Sequence, residues 1–182
     1  MKRLAILLLP VLLWVSLGWS GTTLEAPTVT DATIQAYFSP NGGCTEAIVE
    51  ALGQARTTVK VQAYSFTSAP IAKALVDAHK RGVRVEVILD KSQWTEKYSS
   101  ADFLAHAGIP TRIDAQHKIA HNKIMVIDGA VVITGSFNFT RGAEYDNAEN
   151  LLVIRSQALA ALYPRNWETH AEHSEPYMGR GR

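Results

Sequence analysis

The chain has 182 residues, 47% of them hydrophobic and 19% charged, with a formal charge of +1. That length and composition describe one globular domain with a real core, and exclude a disordered, collagen-like or solenoid protein. Near-neutral charge also argues against a large non-specific footprint on duplex nucleic acid.

Residues 1–20 stand apart. Lys2 and Arg3 precede a nearly unbroken apolar run from Leu4 to Trp19, and small residues follow at Ser16, Gly18, Ser20 and Gly21. This is the pattern of a secretory signal peptide, and Pro10 together with the short run disfavours a membrane anchor. Its removal takes Lys2 and Arg3 with it, so the formal charge falls from +1 to −1. The expected location is therefore exported, periplasmic or secreted, from a bacterial cell, with no stable membrane association after cleavage. Cys44 is the single cysteine, so an intrachain disulfide is excluded; it reads as a small buried residue at a helix start, and one cysteine without neighbouring ligands gives no expectation of a structural zinc site.

Residues 21–33 read as a flexible lead-in, 34–175 as the folded domain and 176–182 as a polar C-terminal tail. Ile34 to Phe38 is a strand candidate that ends in the turn cluster Ser39-Pro40-Asn41-Gly42-Gly43. Thr45 to Arg56 carries apolar residues at helical spacing, and Val59 to Tyr64 reads as a strand. Ser68 is placed to cap a helix with Pro70 in its first turn and Gly82 near its end. Val83 to Leu89 is a strand closed by Asp90, Ser99 to Ala107 a helix with Gly108 behind it, and Pro110 to Ile113 a short strand. Leu151 to Ile154 is a further strand, and Ser156 to about Glu172 one helix. This order predicts an α/β sandwich with a mixed β-sheet.

Between them lies the stretch His121 to Asn138, HNKIMVIDGAVVITGSFN. Two β-branched runs around Asp128-Gly129 predict a hairpin. His121 and Lys123 share a face at its open end, as do Ser136 and Asn138 on the returning side. Four polar groups converge there, and unpaired polar groups on a buried hairpin are costly. A phosphodiester accounts for all four: Lys123 for the negative oxygens, Ser136 and Asn138 as neutral donors, and His121 as nucleophile or general acid–base.

The pattern His121-x-Lys123-x4-Asp128-x6-Gly135-Ser136-x-Asn138 resembles the HKD signature of the phospholipase D superfamily, in particular its small bacterial Nuc-type endonucleases with one motif per chain. Phe38-Ser39-Pro40, Gly42-Gly43-Cys44, Ala63-Tyr64-Ser65-Phe66-Thr67 and Asn147-Ala148-Glu149-Asn150 extend the resemblance over nearly the whole chain after residue 35. It implies a phospholipase D-like α/β/α sandwich, one domain per chain, and a phosphohistidine mechanism without metal or cofactor. It also implies Glu149 as the carboxylate that orients His121, and Asp128 and Gly135 as structural members of the motif. Because that chemistry uses two histidines and the chain has one motif, a homodimer sharing the site is expected. The expected activity is endonucleolytic hydrolysis of DNA, with RNA left open. The alternatives are a phospholipid head-group hydrolase and, of another class, a nucleic-acid binder without catalysis.

Other residues carry weaker expectations. His79 and His106 read as surface residues, His170 and His173 as solvated helix-face residues, and His117 as an exposed loop residue near the substrate path. Trp94 and Tyr98 read as covers for the core edge, and one of Tyr64, Ser65 and Phe66 as a pocket wall.

Overall fold

The structure, a computed structural model, describes residues 27–180; the expected signal peptide lies outside them. β1 (Thr33–Ser39), α1 (Cys44–Gln54), β2 (Thr58–Ala63), α2 (Ala69–Lys80) and β3 (Arg84–Asp90) come first. A 3-10 turn (Lys91–Trp94), α3 (Ala101–His106), β4 (Thr111–Asp114), β5 (Lys123–Ile127) and β6 (Val131–Gly135) follow. The chain continues through α4 (Arg141–Tyr145), β7 (Glu149–Arg155), α5 (Gln157–Ala160), α6 (Tyr163–His173) and β8 (Glu175–Tyr177). The eight strands form one mixed sheet in the order β1-β7-β6-β5-β2-β3-β4-β8. Among the described strands only the β2–β3 and β3–β4 pairs are parallel, each joined through a helix as parallel pairing requires.

Strand alternation divides the core into two layers. Met125 and Ile127 of β5 face the main cluster, with Leu52 of α1, Leu75 of α2 and Leu104 of α3. Val126 points the other way, onto Val132, Ala160, Leu159 and Tyr163. Each fully buried large side chain contributes roughly 1.5–3 kcal/mol of burial free energy, so the register of this central hairpin is strongly fixed. On the second face Trp167 of α6 is buried, its indole N–H donates to the Val61 carbonyl at 3.1 Å, and the Lys60 ammonium lies 3.8 Å from its ring centroid.

The predicted elements are present, with four differences. The helix expected from Ser156 to Glu172 is two helices, α5 and α6. Pro164 lacks the N–H a continuous helix needs, and its ring would strike the carbonyl of Ala160. The polar loop read at Arg141–Asn147 contains the single-turn helix α4, capped by the Thr140 hydroxyl, which accepts from the Ala143 N–H at 3.0 Å. Residues 176–180 are not a free tail. Glu175–Tyr177 pairs antiparallel with β4, and Arg180 reaches Asp102. Finally, Trp94 and Tyr98 do not cover the core edge, since both are exposed.

Candidate active site

The hairpin turns as its sequence dictates. Asp128 and Gly129 take φ of 54° and 60°, the paired left-handed residues of a type I′ turn, and the Ala130 N–H closes it on the Ile127 carbonyl at 3.0 Å. The register pairs Met125 with Ile133; extended by two residues, it sets Lys123 beside Gly135. The open end of the hairpin, between β2 and β7 in the middle of the sheet, therefore carries both halves of the motif. It lies at the carboxyl end of β2, where Tyr64 N–H donates to the Asn122 carbonyl at 2.8 Å.

Here the side chains divide into an exposed histidine and a buried lysine. His121 is exposed, and its ring lies against Tyr64, centroid to centroid 4.7 Å. Lys123 is only 8% exposed. Its ammonium donates to the His121 carbonyl at 2.9 Å and sits 5.1 Å from the Tyr64 ring centroid. Burial depresses the Lys123 pKa below the ordinary lysine value, and the negative charge of Glu149 partly offsets that effect. A partly desolvated cation with a single carbonyl acceptor retains donors for an incoming anion. Of the three aromatic-loop residues considered from sequence, Tyr64 is thus the one that lines the site.

The returning strand is held by a close backbone approach. Gly135 has φ of 147°, and a Cβ at this position would lie 2.3 Å from the Asn150 carbonyl oxygen, so the motif glycine is a steric requirement. Ser136 and Phe137 N–H groups both donate to that carbonyl, at 3.1 and 3.2 Å. The Ser136 hydroxyl oxygen accepts from the Asn150 backbone N–H at 3.0 Å and its side-chain amide at 3.3 Å, which leaves its own O–H to donate. Asn138 is half-buried, and its Oδ1 is buried with no hydrogen-bond partner among the described residues.

Glu149 departs from its expected contact. Its carboxylate accepts from the Asn147 side-chain amide at 3.2 Å, and no hydrogen bond joins it to His121 among the described residues. Its field acts on Lys123 instead. Asp128 is structural, as its turn context requires. The carboxylate accepts from the backbone N–H groups of Arg56, Thr57 and Thr58 and from the Thr57 hydroxyl, all within 2.8–2.9 Å. Burial alone would raise its pKa, but those bonds outweigh it and hold the carboxyl below the usual range.

Three supporting residues had no reading from sequence. The Asp90 carboxylate, at the end of β3, accepts from Ser92 N–H at 2.8 Å and Ala120 N–H at 2.7 Å, which ties down the segment entering His121. A strand-end Asp-x-Ser spacing is a signal that could reveal the local cap, whereas nothing in the sequence signals the bond to Ala120. Buried Glu144 accepts from Gly43 and Thr45 N–H groups at 3.2 and 2.7 Å, so an anion from α4 caps the N-terminus of α1. The third is Asp114. It accepts from His117, His170 and His173 at 2.9–3.2 Å, so His170 and His173 are not solvated helix-face residues, whereas His117 is the exposed loop residue expected, with its ring turned onto Asp114. Cys44 is buried at the start of α1, its thiol pushed up to about 11 by burial and then by the nearby charges of Glu144 and Glu46.

An exposed histidine and a buried lysine two residues apart, at the open end of a central hairpin in an α/β/α sandwich, define a phosphodiesterase of the HKD type. The chain belongs to the phospholipase D superfamily: the family described as "Cardiolipin synthase, PLD-like domain" matches residues 48–170. It is 42% identical over 141 residues to a protein of Rickettsia typhi named "Phospholipase D", covering 78% of this chain and 69% of that one. It is 34% identical over 129 residues to the "Mitochondrial cardiolipin hydrolase" of Xenopus laevis, covering 71% of this chain and 61% of the relative. Among solved structures, the phospholipase D family member Nuc of Salmonella typhimurium superposes with a TM-score of 0.78 at 37% identity, covering 81% of this chain and 99% of its own. NucT of Helicobacter pylori shares the fold at a TM-score of 0.75 and 22% identity, covering 81% of this chain and all of its own.

Proposed function

We propose that the protein is a metal-independent, largely sequence-non-specific endonuclease that hydrolyses DNA, and RNA where it is offered, in a site shared by two copies of the chain. The observation that carries this reading is that the chain supplies half of a two-histidine site. His-x-Lys occurs once in the sequence, and its histidine is exposed beside a buried lysine. An isologous contact about a two-fold axis supplies the second half by bringing the same patch from each subunit.

In such a site His121 of one subunit attacks phosphorus in line, forming an N–P bond as the P–O bond to the leaving strand breaks. The second His121, protonated, gives its proton to that leaving oxygen. It then removes a proton from water, which attacks phosphorus and releases the first imidazole. Two Lys123 ammonium groups and the donors of Asn138 and Ser136 stabilise charge on the non-bridging oxygens, the task a divalent cation performs elsewhere. Glu149, through its charge, offsets part of the effect of burial on Lys123 and is the candidate partner of the imidazolium. Gly135 and Asp128 hold the two ends of the hairpin that presents these groups.

Export to the periplasm or medium belongs to this reading and rests on residues 1–20. Among the described residues no helix is long and apolar enough to cross a membrane. A second reading, hydrolysis of phospholipid head groups, draws on the names of the Rickettsia and Xenopus relatives and on the exposed Trp94, Tyr98 and Phe103, apolar side chains that suit a lipid surface. Non-catalytic nucleic-acid binding has no such support.

The test is nicking of supercoiled plasmid in excess EDTA, with His121→Ala alongside and chains mixed after subunit exchange. Cleavage by the unaltered chain alone is expected. In equal mixtures a shared site leaves about one quarter of the activity and independent sites about one half. Activity that requires added Mg²⁺ would overturn the mechanism. Failure on DNA and RNA together with head-group release from anionic liposomes would establish the second reading.

A further inference from the structure

Away from the hairpin, three histidines aim their ring nitrogens at one carboxylate. Asp114, fully buried at the end of β4, meets His170 Nδ1 at 2.9 Å, His117 Nδ1 at 3.0 Å and His173 Nε2 at 3.2 Å, all through Oδ2. One ligand atom from each of the four residues lies within 4.8 Å of all the others. The three rings pack around it with centroids 4.9–5.3 Å apart, His170 and His173 edge to face and His117 tilted against both. His170 and His173, three apart in the last turn of α6, share a helix face. Asp114 and His117 repeat that spacing on the connection leaving β4.

We propose that these four residues form a structural binding site for a transition-metal dication, Zn²⁺ being the best chemical match. Two short-spaced ligand pairs from separate elements are the usual format of a structural zinc site, and three imidazoles with one carboxylate suit this borderline cation. Tetrahedral bonds of about 2.0–2.1 Å place ligand atoms about 3.3 Å apart. The carboxylate–imidazole separations are already at or just inside that distance, so closure needs shifts of about an ångström in the rings alone. Without a cation, three ring N–H groups must crowd onto a single oxygen; one metal replaces those three protons at the point where the rings converge.

Four protein ligands close the coordination sphere, so the site supplies no metal-bound water and takes no part in hydrolysis. Its effect is mechanical. Asp114 and His117 begin the connection that crosses the ends of β3 and β2 to His121, and that connection is also held by Lys91 on the His117 carbonyl at 2.9 Å and by Asp90 on Ala120. The metal fastens α6 from one face of the sheet to the segment that delivers the catalytic histidine.

The experiment uses the full chain purified without a polyhistidine tag, dialysed with Zn²⁺ and then against metal-free buffer. Elemental analysis is expected to find about one zinc per chain, and Zn²⁺ at about one hundred times its Kd to raise Tm by roughly 5–10 °C. Co²⁺ substitution is expected to give the strong visible bands of a four-coordinate ion. The double variant His170→Ala/His173→Ala is expected to lose stoichiometric metal, the Tm rise and the bands. The single variant His117→Ala, at the most exposed of the four ligands, provides the same readouts if the double variant fails to fold. Absence of stoichiometric zinc in the unaltered chain, or equal binding by the variants, would overturn the site.

Discussion

The two ends of one hairpin show opposite treatments of polar side chains. At the turn, Asp128 faces four donors within 2.9 Å. At the open end a buried lysine has one carbonyl acceptor, a histidine stands exposed against Tyr64, and an asparagine oxygen is buried with no partner among the described residues. Saturated groups hold a structure together, whereas groups left under-satisfied at the expense of stability are reserved for a ligand. The contrast separates the structural aspartate of the motif from the histidine and lysine proposed to carry the chemistry.

Breaking the open end should abolish turnover and spare the fold. His121→Ala is expected to lower phosphodiester cleavage by at least about 10³-fold, with Tm, read by circular dichroism, essentially unchanged; a large Tm loss would show that the ring is a structural prop. Lys123→Met is expected to cost about 10²-fold or more in kcat. Its Tm should stay level or rise, because burial disfavours the ammonium it removes.

Breaking the turn end should do the reverse. Asp128→Ala deprives three N–H groups and a hydroxyl of their acceptor and is expected to cost about 2–4 kcal/mol, seen as a Tm drop of roughly 5–15 °C. Activity per folded molecule well below the melting range should stay within a few-fold of the unaltered chain. Asp128→Asn sharpens the point through pH. The folded carboxyl is held below its ordinary value, so its stabilisation is complete above the unfolded carboxylate pKa near 4 and is lost as pH falls through the lower folded value. The asparagine variant should lack that part of the acid destabilisation in urea titrations between about pH 5 and 2. The smallest effect expected is at Cys44: with its thiol pushed up to about 11 and buried, a thiol reagent at pH 8 should react only as fast as the protein unfolds.

Much of this was legible in the chain. Periodicity located most of the helices and strands, because a half-buried strand and an amphipathic helix write their spacing directly into the sequence. Asp128-Gly129 specified its turn locally, and the motif placed His121, Lys123, Ser136 and Asn138 on one hairpin. The short elements were less visible. α4 is five residues long and β8 three, too short for a period to register, and β8 exists through its pairing with β4.

The sequence by itself therefore determined the α/β class, the hairpin and the HKD motif, since each depends on neighbours in the chain or on a contiguous pattern. Tertiary structure alone decided what saturates each carboxylate. Glu144 caps a helix about one hundred residues upstream, Glu149 bonds Asn147 and acts on Lys123 where a bond to His121 was expected, and Asp114 gathers histidines 56 and 59 residues away. A carboxylate's partner is set by which backbone ends and helix faces the sheet brings within 3 Å, and that is a property of strand order and crossing, not of local spacing.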